Sequence, residues 1–199
     1  MSVGPRAAVL ALHYQNDVLH AHGKIRVGLA VDSPVRDALV AQARALLDGA
    51  RHRRWPIFHV RVAFAADGSD IVQNGALFRA VAASGAVREG TWGAEFLDTL
   101  APRARDPLEQ VVTHRRINAF HATALESLVQ ACGAQRLVVA GVATHSVVEG
   151  TVRDAADRGY DVWVAADACA AADPAVHAAS LASMGLIASI QTVRSCLDA

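Results

Sequence analysis

Short, nearly continuous apolar runs alternate along the chain with longer Ala-rich stretches of helical period. Ala7–Tyr14 (AAVLALHY), Pro56–Phe64 (PIFHVRVAF), Glu109–Arg115 (EQVVTHR), Arg136–Ala143 (RLVVAGVA), Asp161–Cys169 (DVWVAADAC) and Ala188–Arg194 (ASIQTVR) read as strands. Several lack the apolar–polar alternation of a half-exposed strand, as expected for parallel strands covered on both faces. The stretches between them carry readable helix signals. Ser33-Pro34 offers an N-cap and a proline at the first helical position, opening a helix to about His52. Thr123-Ala-Leu-Glu126 has capping-box spacing, and its helix ends near Cys132 before Gly133. Thr144 starts a helix that stops at Gly159, and Asp173-Pro174 opens one that reaches about Met184. Residues 65–108 lack long periodicity and read as an excursion with short helices around Leu77–Ala83 and Ala94–Leu100.

Strand–helix alternation with right-handed crossovers predicts a doubly wound, three-layer α/β/α fold on a six-stranded parallel sheet. The chain has 199 residues, and residues 1–199 are expected to form one domain. Reactive groups in such sheets gather beyond the carboxyl ends of the strands. That directs attention to His13–Asp17, His59–Phe64, His114–Phe120 and Ala143–Val147.

Composition narrows the function classes. Apolar residues make up 53% and charged residues 19%, which excludes an intrinsically disordered chain. Acidic and basic residues balance at 19 each, so no basic field exists to neutralise phosphates and nucleic acid is not an expected partner. The near-zero net charge opposes self-association only weakly. No stretch approaches the roughly 20 apolar residues of a membrane span, and Ala7–Leu12 is too short for a signal-peptide core. Cys132, Cys169 and Cys196 are odd in number and form no C-x-x-C pair, which fits reduced thiols in a cytoplasmic protein.

The fourth strand runs straight into a helix through Gly141-Val142-Ala143-Thr144-His145-Ser146-Val147, and free amides at that helix start suit a carboxylate or a developing oxyanion. Here the chain resembles the isochorismatase-like hydrolase superfamily, also called the cysteine hydrolases. AAVLALHYQND is similar to the family's strand ending in D-x-Q-N-D. VVTHRRINAFHATALESL is similar to its K-x-x-x-S-A-F-x-x-T-x-L segment. LVVAGVATHSVVEGTVRDAADRGYDVWVAADAC is similar to its G-x-x-T-x-x-C-V-x-x-T-x-x-D-A-x-x-x-G-Y block.

The resemblance implies that the family's Asp, Lys and Cys fall at His13, His114 and Val147. Gln15-Asn16-Asp17, Ala119-Phe120 and Gly141 with Thr151 hold the three registers. The sole lysine, Lys24, lies well before the third strand, and no cysteine stands near position 147. Valine has no lone pair, so a thioester at Val147 is excluded, and with it family-type cysteine amidase activity. The resemblance also implies a cis peptide at Val142–Ala143 and an oxyanion hole built from the Ala143 and Val147 amides, which side-chain substitution leaves intact.

The expectation is therefore a small-molecule enzyme that uses His13 and His114 for acid–base work and needs no cofactor. The alternative is a catalytically inactive binding or partner protein. His145 is expected to face the same cavity, and three converging histidines raise a zinc alternative, although no H-x-H or i, i+4 spacing supports it. Asp17 orients an imidazole, binds substrate, or caps the loop after the first strand. Trp92, Asn118 and Phe120 are candidates for lining the substrate site. Arg61, Arg115 and Arg116 lie near strand ends, where a carboxylate could be held. His59, His121 and Cys169 read as structural. By resemblance, a homo-oligomer is expected.

Overall fold

A computed structural model describes residues 6–198. Strands β1 (Ala7–Leu12), β2 (Ile57–Val62), β3 (Glu109–His114), β4 (Arg136–Val142), β5 (Asp161–Ala170) and β6 (Ser189–Gln191) form one sheet in the order β3-β2-β1-β4-β5-β6. Every pairing is parallel. Strand order reverses between β1 and β4, which opens a crevice beyond their carboxyl ends.

β1 is buried at all six positions, which is why its sequence reads as an unbroken apolar run. Helices α2 (Pro34–His52) and α7 (Val193–Asp198) pack together in one outer layer. α5 (Glu149–Asp157) and α6 (Pro174–Met184) pack together in the other. α4 (Leu125–Ala131) is tied to the end of α5 by the Arg158–Glu126 ion pair at 3.2 Å. α1 (Asn16–Leu19) is a single turn after β1, and α3 (Ala76–Ser84) stands in the 65–108 excursion. One contiguous apolar core joins the sheet to both helical layers.

Local chemistry alters several expected boundaries. Pro34 does open α2, but Ser33 makes no side-chain cap. Thr123 Oγ1 accepts from the Leu125 amide at 3.2 Å and donates to the Ala119 carbonyl at 2.7 Å. Glu126 meanwhile accepts from Tyr160 and Arg158, so no reciprocal capping box forms. Asp173 caps α6 through the Ala175 amide at 2.8 Å. The last strand is shorter than its apolar run suggests: β6 stops at Gln191, and Val193 and Cys196 turn inward on α7 instead. The helix expected around Ala94–Leu100 is two separate 3-10 turns, Trp92–Ala94 and Asp98–Leu100.

Candidate active site

His13 follows the last residue of β1 and His114 ends β3, with β2 between them in the sheet. His13 adopts a left-handed backbone, φ 60°. That region is sparsely used by non-glycine residues, although His is among those enriched there. Its amide donates to the Val60 carbonyl at 2.8 Å, tying the turn to β2. The imidazoles of His13 and His114 meet Nε2 to Nε2, with ring centroids 4.7 Å apart. His114 is 2% exposed, and its Nδ1 faces the Asn118 carbonyl at 3.2 Å.

Proton counting assigns the tautomers. A carbonyl only accepts, so His114 Nδ1 carries its proton and His114 Nε2 presents a lone pair. The Nε2 to Nε2 contact then takes its proton from His13. The Val142 carbonyl also faces the His13 ring, so two neutral rings, with two N–H groups between them, meet three acceptor positions and leave one of them without a proton. Burial pushes the His13 imidazole well below its ordinary pKa, and the neighbouring His114 adds to this, while the Val142 carbonyl acts in the opposite sense. Burial lowers His114 to about 4. Both rings are therefore neutral near pH 7.

His13 opens onto a cavity of about 530 Å³. Ala143, His145, Ser146 and Val147 line it from the end of β4, and Arg116 and Ile117 from the loop after β3. The Val142–Ala143 peptide is cis. Thr144–Val148 then forms a π-helical turn that leads into α5, a local geometry frequent at functional sites. Among the described residues, the Ala143 amide donates to no protein group. β4 reaches this point by approaching β1 closely. Gly141 has φ 150°, and a Cβ there would stand 2.3 Å from the Leu12 carbonyl oxygen. α6 supports the turn from behind: Thr144 Oγ1 meets His177 Nδ1 at 2.8 Å, and the Ser180 hydroxyl donates to Glu149 at 2.6 Å.

The structure thus gathers His13, Ala143, His145 and Val147 around one cavity, with His114 directly behind His13. Other expected site residues lie elsewhere. The Asp17 carboxylate accepts the Lys24 amide at 3.1 Å and the Val87 amide at 2.8 Å, so it is a loop clasp and not a partner of either imidazole. Asn118 is spent structurally: its Nδ2 donates to Asp154 and its Oδ1 accepts the Phe120 amide at 2.8 Å. Phe120 stacks on Tyr160 and lies beneath Arg158, away from the cavity. Trp92 packs edge-on against His20 and faces a different open groove beside α2.

Of the three arginines, only Arg116 lines the cavity; Arg61 pairs with Glu89 and Arg115 with Asp70. Among the described residues, no three His, Cys, Asp or Glu side chains converge to hold a metal ion, so the three-histidine zinc arrangement has no geometric basis. Sequence reasoning missed the apolar residues that line the same cavity, among them Ile25, Val27, Phe64, Phe78, Val81 and Val87. These residues are scattered between β1 and β3, and only tertiary folding brings them together. It also missed Ser146, whose neighbour Val147 drew attention as the aligned position.

Comparison with known proteins matches residues 7–195 to the isochorismatase domain. A Bacillus subtilis isochorismatase family protein, YddQ, is 30% identical over 201 residues, covering 96% of this chain and 98% of that protein. A probable inactive nicotinamidase of Arabidopsis thaliana is 42% identical over 101 residues. That match spans half of this chain and half of the plant protein. Among solved structures, an isochorismatase family protein from Desulfovibrio vulgaris superposes with a TM-score of 0.84 at 28% identity over 98% of both chains.

Proposed function

The chain belongs to the isochorismatase family, and from that membership we propose that it hydrolyses a small carbonyl compound without a thiol nucleophile, with His13 as general base. The observation that supports this reading is the pair of buried imidazoles, meeting Nε2 to Nε2, with His13 lining the cavity beside the cis turn at Ala143. Water in the cavity attacks the substrate carbonyl carbon and gives its proton to the His13 imidazole. The carbonyl π electrons move to oxygen, where the Ala143 and Val147 amides stabilise the negative charge. The tetrahedral adduct collapses, the bond to the leaving nitrogen or oxygen breaks, and the leaving atom takes the proton back from His13. His114 is a positioning residue: its Nε2 accepts from His13 and so fixes the tautomer, as a carboxylate does in a serine-protease triad. Val147 offers no competing nucleophile, so no acyl-enzyme forms.

A panel of amides, lactams and enol ethers incubated with the purified protein tests this reading. Turnover that falls at least about 100-fold in His13→Ala supports it. Turnover unchanged in His13→Ala overturns it.

One observation favours a second reading, a binding protein without turnover. An imidazole held by burial well below its ordinary pKa, as His13 is, is a weak base at neutral pH. The name carried by the Arabidopsis relative, a probable inactive nicotinamidase, points the same way for that protein. Saturable ligand binding with no product over long incubation supports this version, and any His13-dependent turnover excludes it.

A further inference from the structure

The His13–His114 pair has more acceptors than protons. His114 Nδ1 faces the Asn118 carbonyl at 3.2 Å, the two Nε2 atoms meet, and the Val142 carbonyl faces the His13 ring. These contacts join the loop after β3, the end of β1 and the end of β4 into one chain that spans β2. Each contact needs one N–H, and two neutral imidazoles carry two. A third proton completes the chain. A fourth does not fit: it would put an N–H on both facing Nε2 atoms, with no acceptor between them, and set two imidazolium charges in direct contact.

No counter-charge changes this count. Among the described residues, neither ring bonds a carboxylate. Asp17 is clasped by the Lys24 and Val87 amides, Asp154 by Asn118 and Arg158, and Glu149 by Ser180 and Arg153. On β2, His59 bonds Glu109 and Arg61 bonds Glu89. The ionisable side chains that share the cavity with His13 are Arg116 and His145, which carry or can gain only positive charge. Burial and the neighbouring His114 hold His13 unprotonated at neutral pH, so the third proton enters only in acid.

We propose that the pair is a one-proton switch: in acid the two rings take up a single proton, shared between their Nε2 atoms, where separate histidines would take two. The proton completes the chain, ties the Val142 end of β4 to the loop after β3, and withdraws the basic nitrogen that neutral pH leaves in use. The switch regulates the base of the proposed hydrolysis and rests on that reading for its effect on turnover, but the proton itself is read in the resting protein.

Long-range proton–nitrogen NMR spectra of protein with isotope-labelled histidine, followed from about pH 8 to about pH 4, test it. His13→Gln and His114→Gln assign the two rings, and the step count itself comes from wild type. The rings are expected to change together in one step worth one proton, with both Nδ1 atoms keeping their N–H. Backbone hydrogen exchange across Thr144–Val148, corrected for its intrinsic pH dependence, is expected to slow about fivefold or more in the same step. Removing either ring leaves the survivor to titrate alone and abolishes the slowing. Separate steps that sum to two protons, no protonation of either ring by the acid end of the range, or exchange that ignores the step overturns the proposal. These readings need no substrate, so they fail or hold separately from the turnover lost in His13→Ala.

Discussion

An imidazole is useful at neutral pH when its pKa lies close by, and the two at this site have been moved away from that range by burial. Two consequences follow for pH. A base whose pKa burial holds well below 6.5 gives a kcat/KM profile that passes through pH 6.5 without a break and falls only at more acid pH, unlike that of an exposed histidine. Stability follows the same sign. In the unfolded chain His114 binds its proton near pH 6.5, but in the folded protein only near 4. The folded state therefore loses stability progressively as pH falls between these values, and the loss is complete below the lower one. Thermal melts of wild type and His114→Gln across pH 4–7 check this; the variant should show the shallower acid decline.

The residues themselves were visible in the sequence because three motif registers placed His13, His114 and Val147 together. The roles of Asp17 and Asn118 were not visible. Polar side chains beside a site serve equally well as backbone clasps, and only the positions of the Val87 amide and Asp154 decide between these uses. Gly93 shows how tight the clasp is. A Cβ there would lie 2.0 Å from Asp17 Oδ2, so Gly93→Ala should displace the carboxylate and destabilise the protein by about 2 kcal/mol in denaturant melts.

At the scale of elements, the turn carrying Ala143 and Val147 is held from outside itself. Thr144 does not cap the following helix as its position in the sequence suggests; its hydroxyl meets His177 on α6. Glu149, at the start of α5, accepts from Ser180 of α6 and from Arg153, and the two bonds offset the effect of its burial to hold its carboxyl below the usual range. α6 therefore braces the turn that carries Ala143 and Val147. Ser180→Ala should lower kcat several-fold with little change in KM, because it loosens donors that act on the transition state more than on the bound substrate. Equal changes in KM alone would mean that α6 merely shapes the cavity.

The strands were legible because a parallel strand covered on both faces leaves an unbroken apolar signature. The end of the chain was less so: Ile190 and Val193 look alike in sequence but belong to β6 and α7 respectively. Short β-branched runs give no period with which to separate the two states.

The whole molecule carries a second charged centre remote from the cavity. Glu109 begins β3 with its side chain 1% exposed, bonded to Arg51 at 2.7 Å, to His59 at 2.8 Å and to the Arg103 amide at 3.0 Å. Burial pushes its pKa up, but those three partners outweigh it and hold the carboxyl far below the usual range. The stability it contributes is present above the ordinary carboxylate pKa of about 4.3 and is lost as pH falls below that. Glu109→Ala leaves Arg51 and His59 facing an empty site, and should cost about 3 kcal/mol in urea melts without altering the ligand preference of the cavity.

The thiols are equally uninvolved in the site. Burial pushes Cys169 and Cys196 up to about 12, and Cys132 sits half-buried at the C-terminal end of α4. Iodoacetamide at mild pH should label Cys132 at most and leave any turnover intact.

Because Gly141 lets two backbones nearly touch, the cis turn after β4 is placed by main chain and not by the side chain that fills position 147. The scaffold is thus a socket whose reactive insert can be exchanged. A Val147→Cys exchange keeps similar bulk and sets a sulfur at the helix start within the cavity that His13 lines. Rapid, stoichiometric alkylation of that introduced cysteine, against slow labelling of the native ones, would show that the socket makes a thiol at this position accessible and reactive.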